Sequence, residues 1–323
     1  MTNRVIDIAD RPARLSARGG LLRVEREGEE EKTIPFDHIA ALICSHRQTT
    51  FTQAAVAELA SAGGIFVVCD AKHLPVGMML PLIGHGEQTT MFQRQAEAGA
   101  ALKKRLWRET VAGKILAQAV TLMTHAGQGY GLDHMARRVK VGNATQMEAL
   151  ASRVYWPLLF DDKSYRRGED EDSRNALLNY GYAVVRAVVA RALCGAGLHP
   201  GLAIHHHNRY DPYPLANDVM EPFRPLVDGW TARWCGRKPG PWPLDKESKA
   251  GLLQFLMGRF TDGEEERSLF DWVERTTERL ARCIEGKRGE IDYPQIQTTD
   301  GGNGAGPEEA AERVPGDVAD GAV

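Results

Sequence analysis

The 323-residue sequence has no run of 18 uninterrupted apolar residues, no Cys-x-x-Cys pair, no internal repeat and no glycine-rich turn following a strand. The first absence argues against a membrane-spanning helix, and the second against a zinc knot or a dithiol redox motif. The third argues against a solenoid and the last against a nucleotide-binding phosphate cradle. The five cysteines are odd in number, widely spaced and mostly in apolar surroundings, so they read as reduced small hydrophobes. The opening stretch MTNRVIDIADRPARLSARGG is charged throughout and lacks an apolar centre. No secretion signal is expected there, and the cytoplasm is the expected location.

What is present is an ordinary globular composition, 43% hydrophobic and 26% charged. The net charge of −3 conceals two unlike regions. From Gly289 onward eight acids face Arg313 alone, a local −7 that leaves residues 1–288 at +4. Between residues 94 and 140 nine lysines and arginines, Lys114 among them, oppose three acids. Such an excess suits polyanion binding, although it also describes a solvated helix face.

Residues 3–85 alternate apolar and polar residues, or form short β-branched runs, between glycine and charged turns. One helix, Thr50 to Ser61, interrupts them and is opened by a threonine cap. After residue 90 the apolar spacing becomes helical. Asn143 is expected to cap a helix that carries Glu148 and is disturbed by Pro157. SRNALLNYGYAVVRAVVARALCGAGL reads as a buried helix, and Trp230 to Trp242 as irregular. Two amphipathic helices, Lys246 to Arg259 and Glu265 to Glu285, are expected to finish the fold. The predicted class is α+β: a β-rich domain (1–88), a larger all-helical domain (89–288) and a disordered acidic tail (289–323). Deleting residues 290–323 is expected to leave the fold intact.

GLAIHHHNRYDPYPLANDVMEPFRPL, residues 201–226, is the most informative stretch. Three adjacent histidines precede a proline-punctuated turn, then a short helix on which Asp218 and Glu221 share a face. Pro222 is expected to kink or shorten that helix. An imidazole opposite two carboxylates suits a hard divalent cation. The same residues also describe a solvated loop beside an exposed helix.

Glu148 following Asn143, the NALLNYGYAVVRA helix and IHHHNRY…LANDVMEPFRPLVD together resemble the CRISPR-associated integrases, the universal spacer-acquisition endonucleases. The form found beside a single large RNA-guided effector nuclease looks closest. The resemblance covers roughly residues 1–290. It implies a Mg2+ or Mn2+ site held by Glu148, His206 and Glu221, with His205 the rival histidine and Asp218 an assisting acid. It further implies attack of a DNA 3′-hydroxyl on a phosphodiester, a homodimer joined through the β-rich domain and a small ferredoxin-like CRISPR-associated partner. Arg137, Arg138, Lys140, Arg166, Arg167 and Arg209 are the expected contacts to double-stranded or branched DNA. Two rivals share these residues: a metal-dependent nuclease without integrase activity, and a non-catalytic DNA-binding scaffold. Carboxylates of Glu148 and Glu221 paired with arginines would favour the scaffold.

Overall fold

A computed structural model describes residues 4–70, 75–81, 85–168, 172–237, 239–287 and 289–298. The β-rich part contains β1 (Arg4–Ile8), β2 (Arg14–Arg18), β3 (Leu21–Glu25), β4 (Lys32–Pro35), β5 (Ile39–Cys44), β6 (Thr50–Phe51), α1 (Gln53–Ser61), β7 (Ile65–Cys69) and β8 (Pro75–Met79). They form two four-stranded sheets, ordered β1-β5-β7-β8 and β4-β3-β2-β6. β2 and β3 turn on Gly19-Gly20, both at positive φ, as a two-residue hairpin loop requires. Thr50 and Phe51 are a strand, and the helix cap is Thr52, whose hydroxyl accepts from Ala55 N–H.

In the first sheet successive residues point to opposite faces. Ile6, Ile8, Leu42 and Phe66 pack with the second sheet and α1. Val5, Ala41, Ile43, Ile65 and Val67 join the core of the helical part. Asp7, buried on β1, accepts from Ser45 on one side and from Tyr180 of the helical part on the other, both at 2.9 Å. The β-rich and helical parts therefore meet across one continuous core.

The helices are α2 (Gln88–Glu97), α3 (Ala100–Ala126), α4 (Leu132–Arg137), α5 (Ala144–Leu159), α6 (Ser173–Gly195), α7 (Pro214–Met220), α8 (Arg224–Gly236), α9 (Lys246–Leu256) and α10 (Leu269–Ile284). β9 (Arg259–Asp262), β10 (Glu265–Ser268) and β11 (Gln297–Thr298) form a third sheet. α6 is long and apolar enough to cross a bilayer, but 83% of its apolar window is buried inside the protein, which makes it a core helix. Asp172 caps it by accepting from Arg174 N–H.

Three expectations change. Trp230 to Trp242 is not irregular throughout, because α8 continues to Gly236 with Trp230 packed in the core. The two final helices are shorter than expected and a hairpin separates them, so this part is not all-helical. Gly263-Glu264, with the glycine at positive φ, makes the turn, and Ser268 with Asp271 forms a capping box that starts α10 late. Finally, the predicted tail does not begin at 289. Ile291, Tyr293 and Ile296 are buried, Tyr293 hydroxyl pairs with Thr110 at 3.0 Å, and β11 pairs with β9. Composition is dominated by the residues beyond, and it masked this short apolar strap. Residues 299–323 lie outside the described residues.

Candidate functional site

α3, α5 and α8 pack against one another, and the charged residues of the site come from α3, α5 and the segment that leads into α8. Glu148 lies in the second turn of α5. Asn143 begins that helix without the expected side-chain cap; its Oδ1 accepts from Lys140 N–H instead. Pro157 is accommodated inside the last turns. Glu221 opens a single 3-10 turn, Glu221–Phe223, between α7 and α8. Pro222, with no N–H to donate, interrupts the helix there and tips Glu221 inward.

Lys114, in the middle of α3, joins the two carboxylates. Its Nζ lies 2.6 Å from Glu148 Oε1 and 2.7 Å from Glu221 Oε2. Arg224 holds the other Glu221 oxygen at 3.1 Å. Burial alone would raise the Glu221 carboxyl, but the Lys114 and Arg224 charges outweigh it and hold the group below its ordinary range. Burial would likewise depress Lys114, and Glu221 and Glu148 overcome that, so the ammonium keeps its proton. The result is a set of four charges, two of each sign, with Glu221 buried and the other three half-buried.

The histidine loop is fixed by Asp218, which is fully buried on α7. Its Oδ2 accepts from the backbone N–H of Ile204 and His205, each at 2.8 Å. Its Oδ1 accepts from His206 N–H at 3.2 Å and lies 2.5 Å from His206 Nδ1. The hydrogen bond to Asp218, followed by its charge, raises the His206 imidazole above its usual value against the effect of burial, and Glu221 and Glu148 add to this. Asp218 is thus committed through both oxygens, and it orients His206 so that Nε2 is the nitrogen left for a ligand. His205 is turned elsewhere. Its ring stacks on Trp107 at 4.1 Å and 8°, while burial lowers its pKa.

No three His, Cys, Asp or Glu side chains among the described residues converge closely enough to hold a metal as they stand. The chemistry of the set nevertheless fits a divalent cation. Two carboxylates already share one cation, and an imidazole is presented by a carboxylate behind it. Oxygen and imidazole donors suit Mg2+ and Mn2+.

The expected DNA contacts divide. Arg137, Arg138 and Lys140 are exposed, Arg137 with only a 3.7 Å ion pair to Asp133. Arg166 is exposed and donates to the carbonyls of Lys163 and Tyr165. Arg209 is exposed over the Tyr210 ring. Arg167 is taken up in packing, donating to Asn175 and Asn179 and lying over Tyr182. Its neighbour Arg166 looks identical in sequence, and only the fold tells them apart.

Sequence reasoning placed Lys114 in a general basic excess and gave Arg224 and Trp107 no role. Trp107 and Lys114 stand seven residues apart on α3, a spacing that puts them on one face, and this was the legible signal. Beside them lies a cleft of about 330 Å3 lined by Lys103, Lys104, Trp107, Gln146, His205 and His207.

Residues 7–239 match the sequence family described as CRISPR associated protein Cas1. The CRISPR-associated endonuclease Cas1 of Neisseria meningitidis serogroup C (strain 8013) is 36% identical over 218 residues, 67% of this chain and 70% of that protein. A solved casposase bound to integration product gives a TM-score of 0.73 at 16% identity, covering 92% of this chain and 95% of that one. A chain of a Cas6-RT-Cas1–Cas2 complex gives 0.71 at 16% identity, covering 92% of this chain and 36% of that one. These structural likenesses speak for the fold.

Proposed function

The chain belongs to the CRISPR-associated Cas1 family, and from that premise we propose that it is a metal-dependent DNA endonuclease and integrase of CRISPR adaptation. The reaction is transfer of a DNA 3′-hydroxyl onto a phosphodiester at a repeat edge. The carrying observation is the Glu148–Glu221 pair on one cation, with His206 held by Asp218 beside it. Glu148, His206 and Glu221 would hold Mg2+ or Mn2+, which supplies Lewis-acid stabilisation of charge on the phosphate and leaving oxygen. The protein's own contribution is positioning. Asp218 locks the imidazole, Arg224 anchors one Glu221 oxygen, and the fold fixes Glu148 opposite. The exposed Arg137, Arg138 and Lys140 take DNA phosphates without reading bases. In this reading the protein works as a homodimer with a small ferredoxin-like CRISPR-associated partner, in a system built on one large effector nuclease. Support for Cas partners comes from the fold shared with a chain of a Cas6-RT-Cas1–Cas2 complex.

A second reading has its own observation. Lys114 and Arg224 neutralise both carboxylates, as a non-catalytic DNA-binding scaffold would require. One assay separates the two. A labelled fragment with a 3′-hydroxyl is incubated with repeat DNA and Mg2+ or Mn2+. Joined product is expected from the wild type, and none from Glu148→Gln, Glu221→Gln or a 3′-deoxy fragment. Cleavage without joining would point to a nuclease alone, and undiminished joining by both variants would overturn the assignment.

A further inference from the structure

Lys114 is the one member of the four-charge cluster built to move. Arg224 is planar, packs over Tyr182 at 4.8 Å and forms an ion pair with Glu221 Oε1 at 3.1 Å. Its removal would open a packed face. Lys114 is a point charge on a flexible four-carbon stem. Its Nζ donates to Glu148 Oε1 at 2.6 Å and lies 2.7 Å from Glu221 Oε2, so one mobile charge serves both carboxylates. The ammonium therefore stands between two carboxylate oxygens in the manner of an ion, and only 13% of its side chain is exposed.

We propose that Lys114 is an internal cation that holds Glu148 and Glu221 together in the metal-free protein and is exchanged for the divalent ion on loading. This rests on the metal-site reading above. Without a cation between them, two carboxylates this close would repel and splay. With Lys114 in place they stay preorganised, but an incoming ion must displace the ammonium, which weakens the apparent affinity. Once displaced, the ammonium turns away on its flexible stem, while Arg224 keeps Glu221 in position.

Three proteins test this: wild type, Lys114→Met and Lys114→Arg. Mn2+ binding is read from loss of the free-ion electron paramagnetic resonance signal, with the Glu148→Gln/Glu221→Gln double variant as background. Lys114→Met is expected to bind Mn2+ roughly tenfold more tightly than wild type, as loss of one charged contact implies. Lys114→Arg, which keeps the charge, should bind no more tightly. In the wild type an amine-acetylating reagent read by mass spectrometry should label Lys114 several-fold faster when Mn2+ is present, which needs no variant to fold. Equal or weaker binding by a folded Lys114→Met, or labelling unchanged by saturating Mn2+, would overturn the exchange while leaving the metal site standing. Binding no greater than background in all three proteins would instead remove the metal site, and the exchange with it.

Discussion

Cutting the chain after residue 288 removes the strap that runs from Gly289 to Thr298, and the structure sets the size of the effect. Ile291 is fully buried, Tyr293 and Ile296 are 7% and 6% exposed, and Tyr293 lies against Gly113 of α3, one residue from Lys114. Burying an aliphatic or aromatic side chain of this size stabilises by about 1.5–3 kcal/mol. Three such residues give roughly 5 kcal/mol even at the low end, an upper-type figure because the unfolded chain is partly compact. Polar contacts are lost as well. Glu109, itself buried, accepts from Ile291 N–H at 3.0 Å, and Arg105 donates to Gly289 carbonyl at 2.8 Å. Against a total stability of about 5–15 kcal/mol, the loss is a large fraction. Thermal unfolding followed by circular dichroism should place the 1–288 protein about 10 °C or more below full length. Truncation after Thr298 keeps every contact just named and should shift the midpoint by no more than a degree or two. Equal midpoints for 1–288 and full length would show that the strap contributes nothing, and the burial argument would fail.

Asp218→Asn retains the shape but offers one acceptor oxygen where two are in use, so the His206 ring loses its fixed orientation. Strand transfer should fall ~10–100-fold, the range for loss of a ligand-orienting partner, with DNA affinity unchanged in a titration. Asp228 is buried between Tyr155 and Tyr182, and burial pushes its carboxyl up to about 6. A raised folded-state value means the stabilisation is present below about pH 4 and lost as pH rises through 6. Asp228→Asn should therefore flatten the fall in urea-unfolding stability between pH 4 and 6.5, by on the order of 2–3 kcal/mol. An unaltered pH slope would exclude Asp228 as its source. Replacing Arg137 and Arg138 together by alanine should weaken binding of all DNA sequences alike and lower the log–log salt slope by about 2, since each phosphate contact releases about one counterion. Loss confined to one sequence would show that these arginines read bases.

The architecture was legible where local chemistry decides it. The Gly19-Gly20 turn, the alternating strands and the apolar all-round pattern of α6 each imply their structure directly. Gly263 marks the hairpin turn, but the amphipathic spacing on either side carried the first expected helix to Arg259, where β9 begins, and started the second at Glu265, over β10. The strap was missed because three apolar residues in an acidic, glycine-rich segment do not change its composition. At the site, Glu148, His206 and Glu221 could be named from their motifs. Lys114 could not, because its meaning depends on which helix face meets which, a long-range fact. Nor could Arg167 be told from Arg166, for the same reason: the two are distinguished by where α6 places Asn175 and Asn179.

The carboxylate behind the histidine loop reaches three consecutive residues through their backbone N–H groups. An anchor of that kind is blind to side chains. It sets where the chain passes at positions 204–206 through groups that every residue but proline carries, while Ile204 in the core and His205 on Trp107 are held separately by packing. Of the three histidines, His206 is the one whose ring Asp218 holds as well as its backbone.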